Sequence, residues 1–213
     1  MISSIKRLYA QHIAADMPPR IRLRTAYHEA GHAYFMASSP LWKNISIRMT
    51  SSGGLAKSEY GRRSDFSDAE AGWLIMRMTL AGAVVEQYFF NGYSKYGSWR
   101  DTNCALELAG GREQALLDYI EGNYIPYRVG MIEPMVPSST SLVSKQIMAA
   151  AVHSSMSLVN QDCEKIRALG KELYKKSFLH DSEIRRILEN DSSHLESCQS
   201  RRGSIALPVC AGP

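Results

Sequence analysis

Two histidines and a glutamate form the group of residues in this sequence that could do chemistry. His28, Glu29 and His32 make an H-E-x-x-H motif. On an α-helix, side chains four residues apart lie on the same face, so both imidazoles can bind one metal ion. Glu29 is rotated by about 100° from His28, which places its carboxylate beside the metal, where it can take a proton from water. The motif predicts a zinc-dependent peptidase; the alternative is a surface helix with two solvated histidines.

A catalytic zinc needs a third protein ligand, which must be a carboxylate or a histidine from elsewhere in the chain. The closely spaced third histidine of the metzincin pattern is absent, since Ser38 occupies that place. The later histidines, His153, His180 and His194, stand alone in the sequence. The motif by itself leaves the third ligand open.

Composition narrows the class of protein. The chain has 213 residues, 45% of them hydrophobic, which suits one sizeable globular domain. The net charge of +4 comes from scattered Lys and Arg, so nucleic-acid binding is disfavoured. The four cysteines form no C-x-x-C pair and are expected to be free thiols in a reducing compartment. Without an apolar signal region or a membrane-length apolar stretch, the sequence predicts a cytoplasmic protein with no membrane span.

The periodicity predicts which elements position the motif. Residues 3–16 can form a short amphipathic helix, and the motif helix follows over residues 20–37. Strands are predicted over residues 44–50 and 55–60, joined at the turn signal Gly53-Gly54. Ser67 can cap a buried helix over residues 71–90, which stops at Asn91-Gly92.

The second half of the sequence is predicted to be helical and loop-rich. A helix opens at Asp101 and is either interrupted or kinked at Gly110-Gly111, and a proline-rich loop spans residues 124–137. Further helices are predicted from about residue 142 through 151 or beyond, and over residues 158–176 and 181–188. The fold class is therefore α+β, mainly α-helical. We divide the chain into an N-terminal helical segment (1–19), one domain (20–190) and a disordered C-terminal tail (191–213).

Four ordered segments, with the spacing between them, resemble the peptidase domain of the FtsH family, peptidase family M41. They are Ala26-Tyr27-His28-Glu29-Ala30-Gly31-His32-Ala33, Ile45-Ser46-Ile47, Leu80-Ala81-Gly82-Ala83-Val84-Val85-Glu86 and Gly97-Ser98-Trp99-Arg100-Asp101. The similarity covers roughly residues 20–190. It implies a zincin-like helical peptidase domain with a small β-sheet after the H-E-x-x-H helix, and Zn²⁺ as the cofactor.

The resemblance also implies the third zinc ligand. Asp101 matches the ligand aspartate of the family, and the alternative is a helix N-cap worth about 1 kcal/mol. Glu86 is the rival ligand, because thermolysin-like enzymes take a glutamate from a separate helix. The family's glutamate at this place binds no zinc, so contact with a ligand histidine is the preferred role for Glu86.

The sequence departs from the family in three ways. Ala83 follows Gly82 where the family has Arg, and Trp99-Arg100 replaces a small polar pair, which puts packing and substrate or subunit contacts in doubt. No G-x-x-x-x-G-K-[ST] phosphate loop occurs. We therefore expect either a free-standing, ATP-independent peptidase for flexible or unfolded polypeptides, or a fragment that depends on a separate ATPase partner. By analogy with the family, the peptidase domain would form a homo-hexamer.

The expected reaction is hydrolysis of a peptide bond, with Glu29 as the base and His28, His32 and Asp101 as metal ligands. An extended substrate could add to an edge strand at Ile45, Ser46 and Ile47, or at Gly53 and Gly54. An ordinary edge strand is the alternative. The alternative function is a catalytically silent interaction or assembly module that keeps a structural metal; the intact Glu29 argues against it.

Overall fold

The motif helix α1 lies at the centre of the molecule. The computed structural model describes residue 10 and residues 17–51, 53–94, 97–132 and 135–190. Helix α1 spans Pro19–Ala37, as predicted, and begins with a proline in its first turn, where a missing N–H costs nothing. All eleven side chains from residue 26 to residue 36 are buried, so α1 is enclosed on every side over its C-terminal half.

A three-stranded antiparallel sheet covers one side of α1. It consists of β1 (Trp42–Thr50), β2 (Gly53–Tyr60) and β3 (Phe178–His180), in the order β2-β1-β3. Alternate residues of β1, namely Ile45, Ile47 and Met49, are buried, and the residues between them are at least partly exposed. The predicted hairpin is confirmed, but Gly53 and Gly54 are not its turn, because they pair with Thr50 and Met49 as the first residues of β2.

The prediction that Ile45, Ser46 and Ile47 lie on an edge strand is wrong. Strand β1 is the central strand, because Ser46 and Ile47 pair with β2 on one side and with β3 on the other. Its main-chain groups there are already used within the sheet. Strand β3 was not predicted, because a strand of three residues is too short to show an alternating pattern of apolar and polar residues.

Two helices carry the remaining residues of the proposed site. Helix α2 spans Asp68–Phe90; Ser67 caps it by accepting a hydrogen bond from the Glu70 N–H, and it ends at Asn91 in a left-handed conformation. Helix α3 spans Trp99–Gly111, and α4 follows as Glu113–Gly122, so the predicted interruption at the paired glycines is confirmed.

The C-terminal helices pack back onto α1 and α2. They are α5 (Leu142–Gln161), capped by the Ser141 side chain, α6 (Cys163–Lys176) and α7 (Asp181–Asn190). The predicted single helix over residues 158–176 is wrong, because the chain turns at Asp162. The Asp162 carboxylate accepts a hydrogen bond from the Tyr34 hydroxyl at 2.6 Å, which fixes this turn against α1.

The predicted fold class, α+β and mainly α-helical, is confirmed. The predicted C-terminal tail and most of the N-terminal segment lie outside the described residues. No helix in the described part of the chain is both long and apolar enough to span a bilayer. Cys104 and Cys163 are free thiols.

Candidate metal centre

Three side chains from two helices bring their donor atoms together at one point. The Asp101 Oδ2 atom lies 3.0 Å from His28 Nε2 and 3.4 Å from His32 Nε2, and the two Nε2 atoms are 3.1 Å apart. A tetrahedral metal with bonds of about 2.0–2.2 Å separates its ligand atoms by about 3.3–3.6 Å. The three donors are therefore spaced almost as a zinc ion requires, and two imidazoles with a carboxylate are chemically suitable ligands.

Asp101 reaches this point from the first turn of α3. The helix begins at Trp99, with Ser98 as its N-cap, so the alternative of Asp101 as the N-cap residue is wrong. Its side chain is 24% exposed, whereas both histidine side chains are 8% exposed. The site is thus closed on the side of α1 and accessible on the side of α3.

Glu86 lies on the opposite side of the His28 ring from Asp101. Its Oε1 atom is 2.8 Å from His28 Nδ1, and its residue is only 2% exposed. A carboxylate here fixes the ring orientation and leaves Nε2 free to face the donors of Asp101 and His32. This position suits the orienting role for Glu86 rather than that of third ligand.

His32 is oriented by a main-chain group instead of a carboxylate. Its Nδ1 atom lies 2.8 Å from the carbonyl oxygen of Met78 on α2. Both histidines thus use Nδ1 for a partner on α2 and present Nε2 to the same point. Sequence reasoning missed Met78, because a backbone acceptor leaves no signal in residue type.

The Glu29 carboxylate lies beside the candidate metal-binding nitrogens of His28 and His32, and one of its oxygens has no hydrogen-bond partner among the described residues. Its carboxylate and the two imidazoles have one donor atom each within 4.8 Å of one another. The residue is 5% exposed, and Oε2 is buried without a hydrogen-bond partner among the described residues. A buried, unpaired carboxylate oxygen is costly, so its position next to the candidate metal ligands fits a group that receives a proton there.

Burial and charge shift the pKa values of these groups in the metal-free site. Burial raises the pKa of Glu29, and the positive charges of His32 and His28 oppose that shift without cancelling it. Burial lowers the pKa of His28, but hydrogen bonds to Asp101 and Glu86 outweigh it and raise the value to about 10. Burial raises the pKa of the Asp101 carboxyl, but its hydrogen bonds to His28 and His32 outweigh burial and hold that pKa well below its usual range.

Two glycines make room for side chains of the candidate site. A Cβ atom on Gly82 of α2 would overlap the imidazole ring of His28, and one on Gly54 of β2 would overlap the carboxylate of Glu29. The ring and the carboxylate each pack directly on a bare backbone. Gly54 was predicted as a substrate-binding residue, and the structure places it against the proposed base; Gly53 precedes it at the start of β2.

Arg24 is a second residue that sequence reasoning missed. It lies one helical turn before His28, and its guanidinium donates hydrogen bonds to the Glu86 carboxylate and to the Gly92 carbonyl. The signal that could have identified it is the spacing of residues 24, 28 and 32, which places all three on one face of a helix.

The sequence matches no protein-family model, and a search of curated proteins finds no similar sequence. The resemblance to the M41 peptidases therefore stays a prediction.

Proposed function

We propose that the chain is a zinc-dependent endopeptidase of the M41 type. The observation that carries this proposal is the convergence of His28, His32 and Asp101 beside the buried, unpaired oxygen of Glu29. A solvated histidine pair on a surface helix would explain neither the shared Asp101 oxygen nor the burial of all three motif side chains.

His28, His32 and Asp101 would hold the metal, and Glu29 would move the proton. A zinc ion bound there would supply a Lewis acid that polarises the substrate carbonyl and lowers the pKa of water to about 7. Glu29 accepts the proton of the attacking water on its free oxygen and returns it to the nitrogen of the leaving amine. The position of Glu29 supports this role, because its Oε2 atom is buried without a hydrogen-bond partner among the described residues, beside the imidazoles of His28 and His32.

Strand β2 is the element that we propose to bind substrate. It lies at an edge of the sheet, and its edge away from β1 has no strand partner among the described residues. Gly54 on this strand contacts Glu29, so a polypeptide that adds to this edge passes next to the proposed base. Pairing through the main chain requires an extended substrate, which favours flexible or unfolded polypeptides.

The remaining parts of the proposal rest on the resemblance and on composition. We propose a hexameric ring and a separate ATPase partner by analogy with the family. The free thiols of Cys104 and Cys163 support a reducing, cytoplasmic location.

Cleavage of fluorescein-labelled casein tests the proposal. Zinc-loaded protein should cleave casein, and a chelator should stop the reaction. Glu29→Gln should lower the rate at least about 100-fold while zinc binding is kept, because it removes the base and leaves the ligands. Glu107→Gln, on the exposed face of α3, is the matched control and should leave the rate unchanged. If the wild type binds zinc but cleaves no member of a broad peptide panel, the silent assembly module replaces the peptidase.

A further inference from the structure

Arg24 connects two elements around the metal centre to α1. Its Nε atom donates to Glu86 on α2, and its Nη2 atom donates to the carbonyl of Gly92, just after α2 ends. The side chain is 30% exposed and that of Glu86 is 3% exposed, so the ion pair is shielded from water on the carboxylate side. Such a pair is screened less than a surface ion pair.

The Glu86 carboxylate divides its two oxygens between the metal site and this connection. Oε1 faces Nδ1 of His28 at 2.8 Å, while Oε2 accepts the Arg24 bond and a 2.6 Å bond from the Ser94 N–H. Ser94 belongs to the segment that leads from α2 into α3, seven residues before Asp101. One carboxylate therefore fixes both the ring of a proposed ligand and the start of the segment that carries another.

We propose that Arg24 is a positioning residue, which holds Glu86 and the segment after α2 in the arrangement that binds metal. This role rests on the proposed metal centre. The planar guanidinium donates in two directions at once, to a carboxylate on α2 and to a carbonyl beyond it. Without Arg24 the buried Glu86 keeps only His28 and the Ser94 N–H as partners, and the Gly92 carbonyl loses this donor. The Asp101 segment is then less firmly fixed relative to His28.

Zinc affinity, measured by competition with a chromophoric chelator, tests this role. Arg24→Gln should raise the zinc dissociation constant by about tenfold, at the lower end of the effect of residues that orient metal ligands. Arg22→Gln is the matched control. Arg22 lies in the same part of α1, and its guanidinium donates to the Tyr174 carbonyl at 2.8 Å and the Ser177 hydroxyl at 3.2 Å, away from the metal. It should change the zinc dissociation constant less than twofold.

A second readout reports the geometry of the bound metal. The visible absorption of the Co²⁺-loaded protein should shift or weaken in Arg24→Gln and stay unchanged in Arg22→Gln. Arg24→Lys keeps the positive charge but lacks the planar guanidinium that donates to two acceptors at once. Its zinc dissociation constant should therefore lie between those of the wild type and Arg24→Gln. If Arg24→Gln does not fold, judged by circular dichroism, Arg24→Lys alone decides, and a dissociation constant equal to that of the wild type overturns the role.

A double-mutant cycle tests whether Arg24 acts through Glu86. Removal of Arg24 in a Glu86→Gln background should raise the zinc dissociation constant by clearly less than it does in the wild type, because the contact with Glu86 is already altered and only the bond to the Gly92 carbonyl remains to be lost. Equal effects of Arg24→Gln in both backgrounds, or equal effects of Arg24→Gln and Arg22→Gln, overturn the positioning role alone. A wild type that binds no zinc overturns the metal centre and this role with it.

Discussion

The carboxylate of Asp101 lies 3.0 Å from Nε2 of His28, although 73 residues separate them in the sequence. Helix α2 makes this approach possible. It packs against α1, orients both motif histidines, and ends where the chain turns back toward Asp101. The proposed metal centre therefore depends on the packing of three helices. The contribution of a helix can be tested by changing a single residue on it.

We expect Asp101→Ala to raise the zinc dissociation constant by more than about 100-fold, because loss of a ligand exceeds loss of an orienting partner. Asp118→Ala, a carboxylate on α4 that accepts a hydrogen bond from Gln114, should leave zinc affinity unchanged. Isothermal titration of both variants measures the difference. Full zinc affinity in Asp101→Ala would remove Asp101 from the ligand set.

We expect Gly82→Ala to weaken both the fold and the zinc site. The added Cβ overlaps the His28 ring, and an overpacked core of this kind costs about 1–3 kcal/mol of unfolding free energy. Gly110→Ala is the control, because a Cβ atom at this position of α3 has no neighbouring atom. Alanine is favoured over glycine in a helix, so this variant should raise the free energy of unfolding by up to about 1 kcal/mol. Urea unfolding of the two variants, with chelator present, compares them. Equal unfolding free energies would contradict the close packing of α2 on His28.

Gly54→Ala separates catalysis from metal binding. The new Cβ displaces the Glu29 carboxylate, which is not a proposed ligand, so casein cleavage should fall about 100-fold while zinc affinity changes little. Gly122→Ala, at the end of α4 and in open space, is the control for both measurements. A parallel loss of zinc affinity and activity in Gly54→Ala would place its effect on the ligands instead.

The metal-free protein should lose stability as the pH rises. Hydrogen bonds to Asp101 and Glu86 overcome burial and raise the pKa of His28 to about 10, above its ordinary value of 6.5. A group whose pKa is raised by folding stabilises the fold fully below pH 6.5, and this contribution disappears as the pH approaches 10. The free energy of unfolding, measured with urea in the presence of a chelator, should therefore be smaller at about pH 9 than at about pH 6. His28→Gln should reduce the difference in unfolding free energy between the two pH values. An unchanged difference in this variant would count against the raised pKa of His28.

Several elements were predictable because their signals are local. The spacing of His28 and His32 places both on one face of α1 whatever surrounds the helix, and Ser67 and Asn91 bound α2 through caps that involve only nearby residues. The hairpin of β1 and β2 follows from the alternation in β1. The two glycines that were predicted as its turn, Gly53 and Gly54, instead pair with Thr50 and Met49 within the hairpin. The turn at Asp162 was missed because it depends on Tyr34, which lies 128 residues away.

The sequence by itself determined the motif, the α+β class and most helix boundaries, since periodicity and capping act over a few residues. Only the tertiary structure decided that β1 is central, that Glu86 faces Nδ1 while Asp101 faces Nε2, and that Gly82 and Gly54 make room for the site. These features depend on contacts between residues far apart in the chain. The packing of α2 and the sheet around α1 fixes them, and no local pattern encodes that packing.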